Sequence, residues 1–290
     1  MSSNWLVGID GSDHARSALR WASAHAPGRA DEVVALGSYH VPVTLSLLMA
    51  KRAFDVDRLG IEATTSHDVD VAIADMPSTA AGTEPAGCVS RVVEGQPAPT
   101  LVEQAAGCDL LVVGQRGAGE GRHTSLGSVS RYCSTHSPTP IVVVPPDWSS
   151  DMCRSIAVGF DGSPNAERAV RWALDFAPDD ATIEVIIAIE VTPWLEDDLV
   201  RARFPDEVER ETSRLLAKLD AITDDQRVHP EVVLQDAREA LIEAAARADL
   251  LVVGARGRGA IATMLLGSVT NWLLHHAICP TAVIPQPPHA

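Results

Sequence analysis

"DLLVVGARGRGAIATMLLGSVT", residues 249–270, decides how this chain folds. Its opening, one acid followed by a short apolar run, reads as a strand buried on both faces. Gly254 and Gly257 then begin a loop, and Gly267 with Ser268 begins a stretch patterned as a helix. A near-copy, "DLLVVGQRGAGEGRHTSLGSVS", occupies residues 109–130 and keeps Gly114, Gly117, Gly127 and Ser128 at the same spacing. A buried strand that feeds a glycine loop and then a helix is half of a parallel βαβ unit.

The repetition extends outward in both directions, and internal repeats govern any fold reading. "VGIDGSDHARSALRWASAHAP" (7–27) aligns without a gap to "VGFDGSPNAERAVRWALDFAP" (158–178), and "PIVVVP" (140–145) aligns to "PTAVIP" (280–285). The offset falls from 151 to 140, so the first copy carries eleven extra residues between its second and third strands. The join, "PPDWSSDMCRS" (145–155), has the Pro/Ser/Asp character of a linker. The chain therefore reads as one domain written twice, over 1–147 and 154–290.

Within the second copy, strands are expected near 155–160, 182–190, 230–234, 249–254 and 281–285, and helices near 163–177, 206–223, 236–247 and 267–277. Ala166, Ala169, Val170, Ala173 and Leu174 fall at the spacing of a half-buried helix. "DEVERETSRLLAKL" opens on acids and carries its lysine late, as the helix dipole favours. In the first copy "IEATTSHDVDVAIADM" (61–76) is also placed as a helix, despite Thr64, Thr65 and Ser66 in a row.

Net charge is −16 over 290 residues and both copies share the acid excess, which disfavours a nucleic-acid binder. No apolar run is long enough to span a bilayer, so no membrane partner is expected. The opening "MSSNWLVGID" has neither the basic nor the apolar region of a secretory signal, and a cytoplasmic location is expected. Five scattered cysteines show no zinc or disulfide spacing and read as buried thiols.

A glycine-lined loop brings bare backbone close to a ligand. A helix start offers unpaired N–H groups and the positive end of the dipole to an anion. Ser128 and Ser268 add a hydroxyl. The pattern points to phosphate held by backbone N–H groups and one serine. It lacks the lysine of a Walker loop, and it is not the G-x-G-x-x-G turn of a dinucleotide fold. The plainer alternative stays open: glycines for tight turns, and a serine acting as an ordinary N-cap.

Taken together, the two G-x-x-G-x9-G-S loops, the "GIDGS" and "GFDGS" turns and the twin "DLLVVG" strands resemble the universal stress protein family over nearly the whole chain. The resemblance implies an α/β fold: two tandem open parallel five-stranded sheets, strand order 3-2-1-4-5, with helices on both faces. For the ATP-binding branch of the family it implies ATP at the switch point of each sheet, with a magnesium ion as an optional companion. By position, Asp10 and Asp161 would sit near ribose and phosphates, and Val41 and Val191 would face adenine. Gly114, Gly117, Gly127, Ser128 and Val129 would cradle phosphates in the first copy, and Gly254, Gly257, Gly267, Ser268 and Val269 in the second. The first copy departs from the family by placing Glu120, Arg122, His123 and Thr124 where the second has apolar anchors such as Ile261, Met264 and Leu265. An ATP-binding stress-response sensor follows, with intramolecular pairing of the copies, a homodimer and a regulatory protein partner as expected assemblies.

Other residues have plainer readings. Asp10 and Asp161 also suit an Asx-turn. Arg116 and Arg256 read as solvated or ion-paired arginines, with a phosphate contact as the alternative. His123 reads as a solvent-facing loop histidine, and His275 and His276, adjacent in a helix, cannot form an i, i+4 metal pair. Trp21 and Trp172 read as matching core anchors. No residue supplies an evident general base, so fast hydrolysis is not expected. A slow ATPase, a nucleotidyl-transfer enzyme, a flavin carrier and a scaffold with vestigial loops remain as alternatives.

Overall fold

Two compact units divide the chain, residues 1–151 and 152–290. The computed structural model describes residues 3–40, 51–76, 87–118, 126–146, 148, 153–190, 205–258 and 266–286. In the first unit the order is β1 (Asn4–Ile9), α1 (Asp13–His25), β2 (Glu32–Tyr39), α2 (Lys51–Ala74), β3 (Gly87–Glu94), α3 (Pro97–Ala105), β4 (Leu110–Gly114), α4 (Ser128–His136) and β5 (Ile141–Val144). In the second it is β6 (Ser155–Gly159), α5 (Pro164–Phe176), β7 (Thr182–Ala188), α6 (Pro205–Asp220), β8 (Val228–Val233), α7 (Ala237–Ala245), β9 (Leu250–Gly254), α8 (Ser268–His276) and β10 (Thr281–Ile284).

Among the described residues each unit holds five parallel strands in the order 3-2-1-4-5, β3-β2-β1-β4-β5 in one and β8-β7-β6-β9-β10 in the other. The expected α/β class and strand order are therefore present. Strand order reverses between β1 and β4, and between β6 and β9, so loops leaving those strands share one crevice. The acid that opens each "DLLVVG" sets the register from the other end. Asp109 Oδ2 accepts the Asn4 N–H at 2.9 Å, and Asp249 Oδ2 accepts the Ser155 N–H at 3.0 Å. The apolar runs that follow are buried throughout, as strands covered on both faces must be.

Helix α2 starts earlier than the expected 61–76. Its Thr64 and Thr65 hydroxyls donate to the Gly60 and Ile61 carbonyls at 2.9 and 3.0 Å, so both fit a helix without a buried unpaired hydroxyl. Val69 and Ala72 are buried against β2 and β3, and this packing holds a helix that propensity alone favours weakly. The two tryptophans are not equivalent. Trp21 is buried, stacked on Trp5 and His25 with ring centroids 6.1 and 4.6 Å apart, whereas Trp172 is half-buried and stacks on Phe176 at 4.8 Å.

In the turns after β1 and β6, each letter of "DGS" has a separate role. The serine is the N-cap: Ser12 and Ser163 accept from Ala15 N–H and Ala166 N–H at 3.1 and 3.2 Å. The glycine takes a left-handed backbone, φ 79° at Gly11 and φ 74° at Gly162. A Cβ on Gly162 would also lie 2.7 Å from Leu215 Cδ2 of α6, while one on Gly28, at φ 77°, would meet nothing within 4 Å. Gly28→Ala should therefore cost only the left-handed strain, about 1 kcal/mol. Gly162→Ala should cost ~1–3 kcal/mol more through overpacking. Chemical denaturation of the two variants checks the ranking, and equal losses would mean that Leu215 moves aside freely.

Candidate functional site

The loop after β9 is held by three contacts. A Cβ on Gly254 would lie 2.7 Å from Asn165 Cβ and 2.9 Å from its carbonyl carbon, so glycine is needed where the first turn of α5 crosses the strand end. The same crossing occurs in the first unit, where a Cβ on Gly114 would lie 2.6 Å from the His14 backbone. The loop then closes on itself: Gly267 N–H donates to Ala255 O and Gly127 N–H to Gln115 O, both at 2.8 Å. Hydroxyls clamp the closure. Thr270 Oγ1 donates to Gly254 O at 2.8 Å, and Ser130 Oγ to Gln115 O at 2.8 Å.

The fourth-position glycines answer to the aspartates. Asp161 Oδ1 accepts the Ser163 N–H at 2.9 Å, and Oδ2 accepts the Arg258 N–H at 2.8 Å. A Cβ on Gly257 would lie 2.5 Å from that same Oδ2. Asp10 repeats the arrangement, accepting from Ser12 N–H at 3.1 Å and Ala118 N–H at 2.8 Å, with Gly117 against it. The Asx-turn and a place in the crevice are thus compatible, because one carboxylate oxygen serves each.

At the helix starts the N-caps are Gly127 and Gly267, extended at φ −74° and −71°, and among the described residues no side chain caps either helix. Ser128 and Ser268 are therefore the first helical residues rather than N-caps, followed by Val129 and Val269. A nine-residue helix whose N-cap brings no side-chain oxygen from the described residues presents its first N–H groups to the crevice. Beside it Arg256 is half-buried, and its Nε is buried with no hydrogen-bond partner among the described residues. Arg116 Nε repeats this in the first unit. Neither arginine is the solvated surface residue that the plain sequence reading favours. Asn165 Nδ2 donates to Arg256 O at 3.1 Å and fixes that stretch of backbone.

In the second unit these parts surround a cavity of about 530 Å³. One wall is apolar, with Ile186, Ala188, Leu241 and Val253, and the other carries Asp161, Arg256, Arg258 and the α8 start with Gly267, Ser268 and Val269. Glu211 of α6 completes the rim. Its carboxylate takes a two-pronged bond from Arg214, Nε at 2.7 Å and Nη2 at 2.8 Å, and a third from Arg258 Nη1 at 2.6 Å. The Arg214 hydrogen bonds above all, with Arg258 adding to them, hold the Glu211 carboxyl down at about 2 against the opposing effect of burial. Sequence patterning marks Arg258 only as part of a loop, and it gives no signal for Glu211, which comes from a different helix.

Val41 and Val191 lie outside the described residues. So do Glu120, Arg122, His123 and Thr124 of the first loop and Ile261, Met264 and Leu265 of the second. His275 and His276 sit side by side on α8 with ring centroids 6.4 Å apart, and among the described residues no three His, Cys, Asp or Glu converge on a metal position. No described helix is long and apolar enough to cross a membrane.

Against known proteins, the model of the universal stress protein family matches residues 1–145 and again 152–285. A universal stress protein of Mycolicibacterium smegmatis is 28% identical over 287 residues, covering 96% of each chain. One from Mycobacterium tuberculosis is 32% identical over 206 residues, 68% of each chain. Among solved structures, a universal stress protein from Archaeoglobus fulgidus aligns with a TM-score of 0.60 at 18% identity, over 98% of this chain and 99% of its own. A functionally unknown protein from Pseudomonas aeruginosa aligns with a TM-score of 0.61 at 14% identity, over 99% of this chain and 93% of its own. At those identities the structural likeness is one of fold.

The depressed Glu211 carboxyl has a consequence for stability. A carboxylate whose folded value lies below its unfolded one stabilises the fold above the unfolded value and loses that contribution as pH falls through the folded one. The difference in stability between wild type and Glu211→Gln should therefore be constant above about pH 4.5 and fade between there and about pH 2. Urea denaturation of both proteins across that range measures it.

Proposed function

This chain belongs to the universal stress protein family, and from that premise we propose that it is an ATP-binding stress-response sensor with one nucleotide site in each unit. The observation that carries the reading is the arrangement beyond β9. An uncapped helix start, an arginine Nε with no partner and an apolar wall share one cavity. That cavity falls in the roughly 300–1,000 Å³ range of small-molecule sites. The apolar wall suits a base, and the N–H groups of Ser268 and Val269 with the Arg256 guanidinium suit phosphates. The first unit offers the same uncapped start and the same unpartnered Arg116 Nε.

Magnesium, where it accompanies ATP, would be carried by phosphate oxygens and water rather than by a protein cage, as is usual for this ion. Asp161 lines this cavity, and its two oxygens are already engaged, one by the Ser163 N–H of its own turn and one by the Arg258 N–H of the loop. Differential affinity of the nucleotide for two states of the protein would set the signal read by a regulatory partner. We place the protein in the cytoplasm and as a homodimer on the same reading. The described cysteines are free thiols, and burial pushes Cys133 and Cys279 up to about 12, so both stay protonated and inert.

Calorimetry with ATP should return two sites per chain. Gly117→Val and Gly257→Val should each remove one, because a side chain at either position displaces the aspartate behind it. Asp161→Ala should weaken the second site by about tenfold, a loss near the ~1.4 kcal/mol expected when a charge-assisted hydrogen bond to the loop is removed. Full stoichiometry retained in both glycine variants would refute the loop's role.

A further inference from the structure

The two units differ at one loop position in a way that bears on which phosphates each selects. The residue after the fourth-position glycine is Arg258 in the second loop and Ala118 in the first. Both backbone N–H groups are tied to the aspartate behind them at 2.8 Å, so the two Cα positions are fixed alike and only the side chains differ. The Arg258 guanidinium reaches along the cavity rim to Glu211. We infer that Arg258 is a specificity-determining cation for the phosphate tail of the ligand in the second site, held ready by Glu211, and that the first site lacks it.

Three features support this assignment, which rests on the nucleotide reading above. First, Arg258 and Glu211 line the same cavity as Ser268, Arg256 and Gly257, so the guanidinium is already beside the anion-facing wall. Second, Glu211 does not depend on Arg258 for charge balance. Arg214 grips it in a two-pronged geometry from one turn along α6, so releasing Arg258 leaves no bare carboxylate. Exchange of a carboxylate for a phosphate around one guanidinium keeps the cation paired throughout, and the planar fork of arginine suits either anion. Third, the first unit carries no guanidinium at this loop position, where Ala118 stands. Its turn cation, Arg16, is already engaged, with Nη1 donating to Gly11 O at 2.9 Å and Nη2 bonded to Asp13. A phosphate tail gains a guanidinium in the second site that the first loop does not carry at the same position.

Glu211 is on this account a competitor as well as a holder. The pair is solvent-accessible, with side chains 44% and 32% exposed, so it is readily exchanged. Added phosphate groups would displace Glu211 from Arg258, and a monophosphate tail would do so least. The second site therefore distinguishes ATP from AMP more strongly than the first.

The test is calorimetry on the full chain with ATP, AMP and inorganic tripolyphosphate, for wild type, Glu211→Gln, Arg258→Ala and the double variant. Both residues are partly exposed, and neither change leaves a cavity. Glu211→Gln should tighten ATP at one site by roughly two- to fivefold, the worth of an exposed ion pair, and leave AMP and the other site unchanged. Arg258→Ala should weaken ATP at that same site by about tenfold or more. The double variant should match Arg258→Ala, because without the guanidinium there is nothing for Glu211 to hold. Equal effects on ATP and AMP, or a Glu211→Gln variant that binds ATP as wild type does, would overturn the assignment. If tripolyphosphate follows this order of variants while neither nucleotide binds, the nucleotide reading falls and Arg258 keeps its role. Silence toward all three probes overturns both.

Discussion

A carboxylate at the end of the first strand of each unit holds the rest of the site in place. Asp161 takes one N–H from its own turn and one from the glycine loop, joining residues 97 positions apart in sequence. That bond ties the start of the loop to the end of β6, and the Gly267 N–H bond to Ala255 O ties the start of α8 to the same stretch. A glycine at 257 is the condition for it, since any side chain there would occupy the space of the carboxylate oxygen. Asp10 and Gly117 make the same joint in the first unit. The strand-order reversal between β1 and β4 brings the two loops together, but the aspartate fixes their separation.

Around this joint the glycines divide their work. Gly114 and Gly254 admit the first turns of α1 and α5, Gly117 and Gly257 admit the aspartate, and Gly127 and Gly267 end the loop as N-caps. Only the last pair stands at a helix start. The spacing that resembles a phosphate motif is thus first a packing requirement. The hydroxyls of Ser130 and Thr270 are part of the same frame, spent on loop carbonyls rather than on a ligand.

The repeat makes much of this legible in the sequence. A strand buried on both faces is a short apolar run, a left-handed turn needs glycine, and a helix start wants serine before it, so "DLLVVG" and "GFDGS" report their own local structure. Helix α2 was harder to read, because Thr64 and Thr65 lower propensity and only contact with β2 and β3 compensates. The matched tryptophans misled in a different way. Trp21 and Trp172 share a sequence position, yet Trp5 and His25 stack on one and Phe176 on the other, and Trp172 is half-buried.

By itself the sequence determined the duplication, the parallel α/β architecture of each unit and the positions of the turns, because each of these depends on residues near one another in the chain. The tertiary structure decided why the glycines are glycines, where the Arg256 Nε points without a partner, and that Glu211 of α6 meets Arg258 of the loop. These contacts join elements separated by whole crossovers. Their geometry follows from how helices seat on a twisted sheet, which no periodicity along the chain encodes.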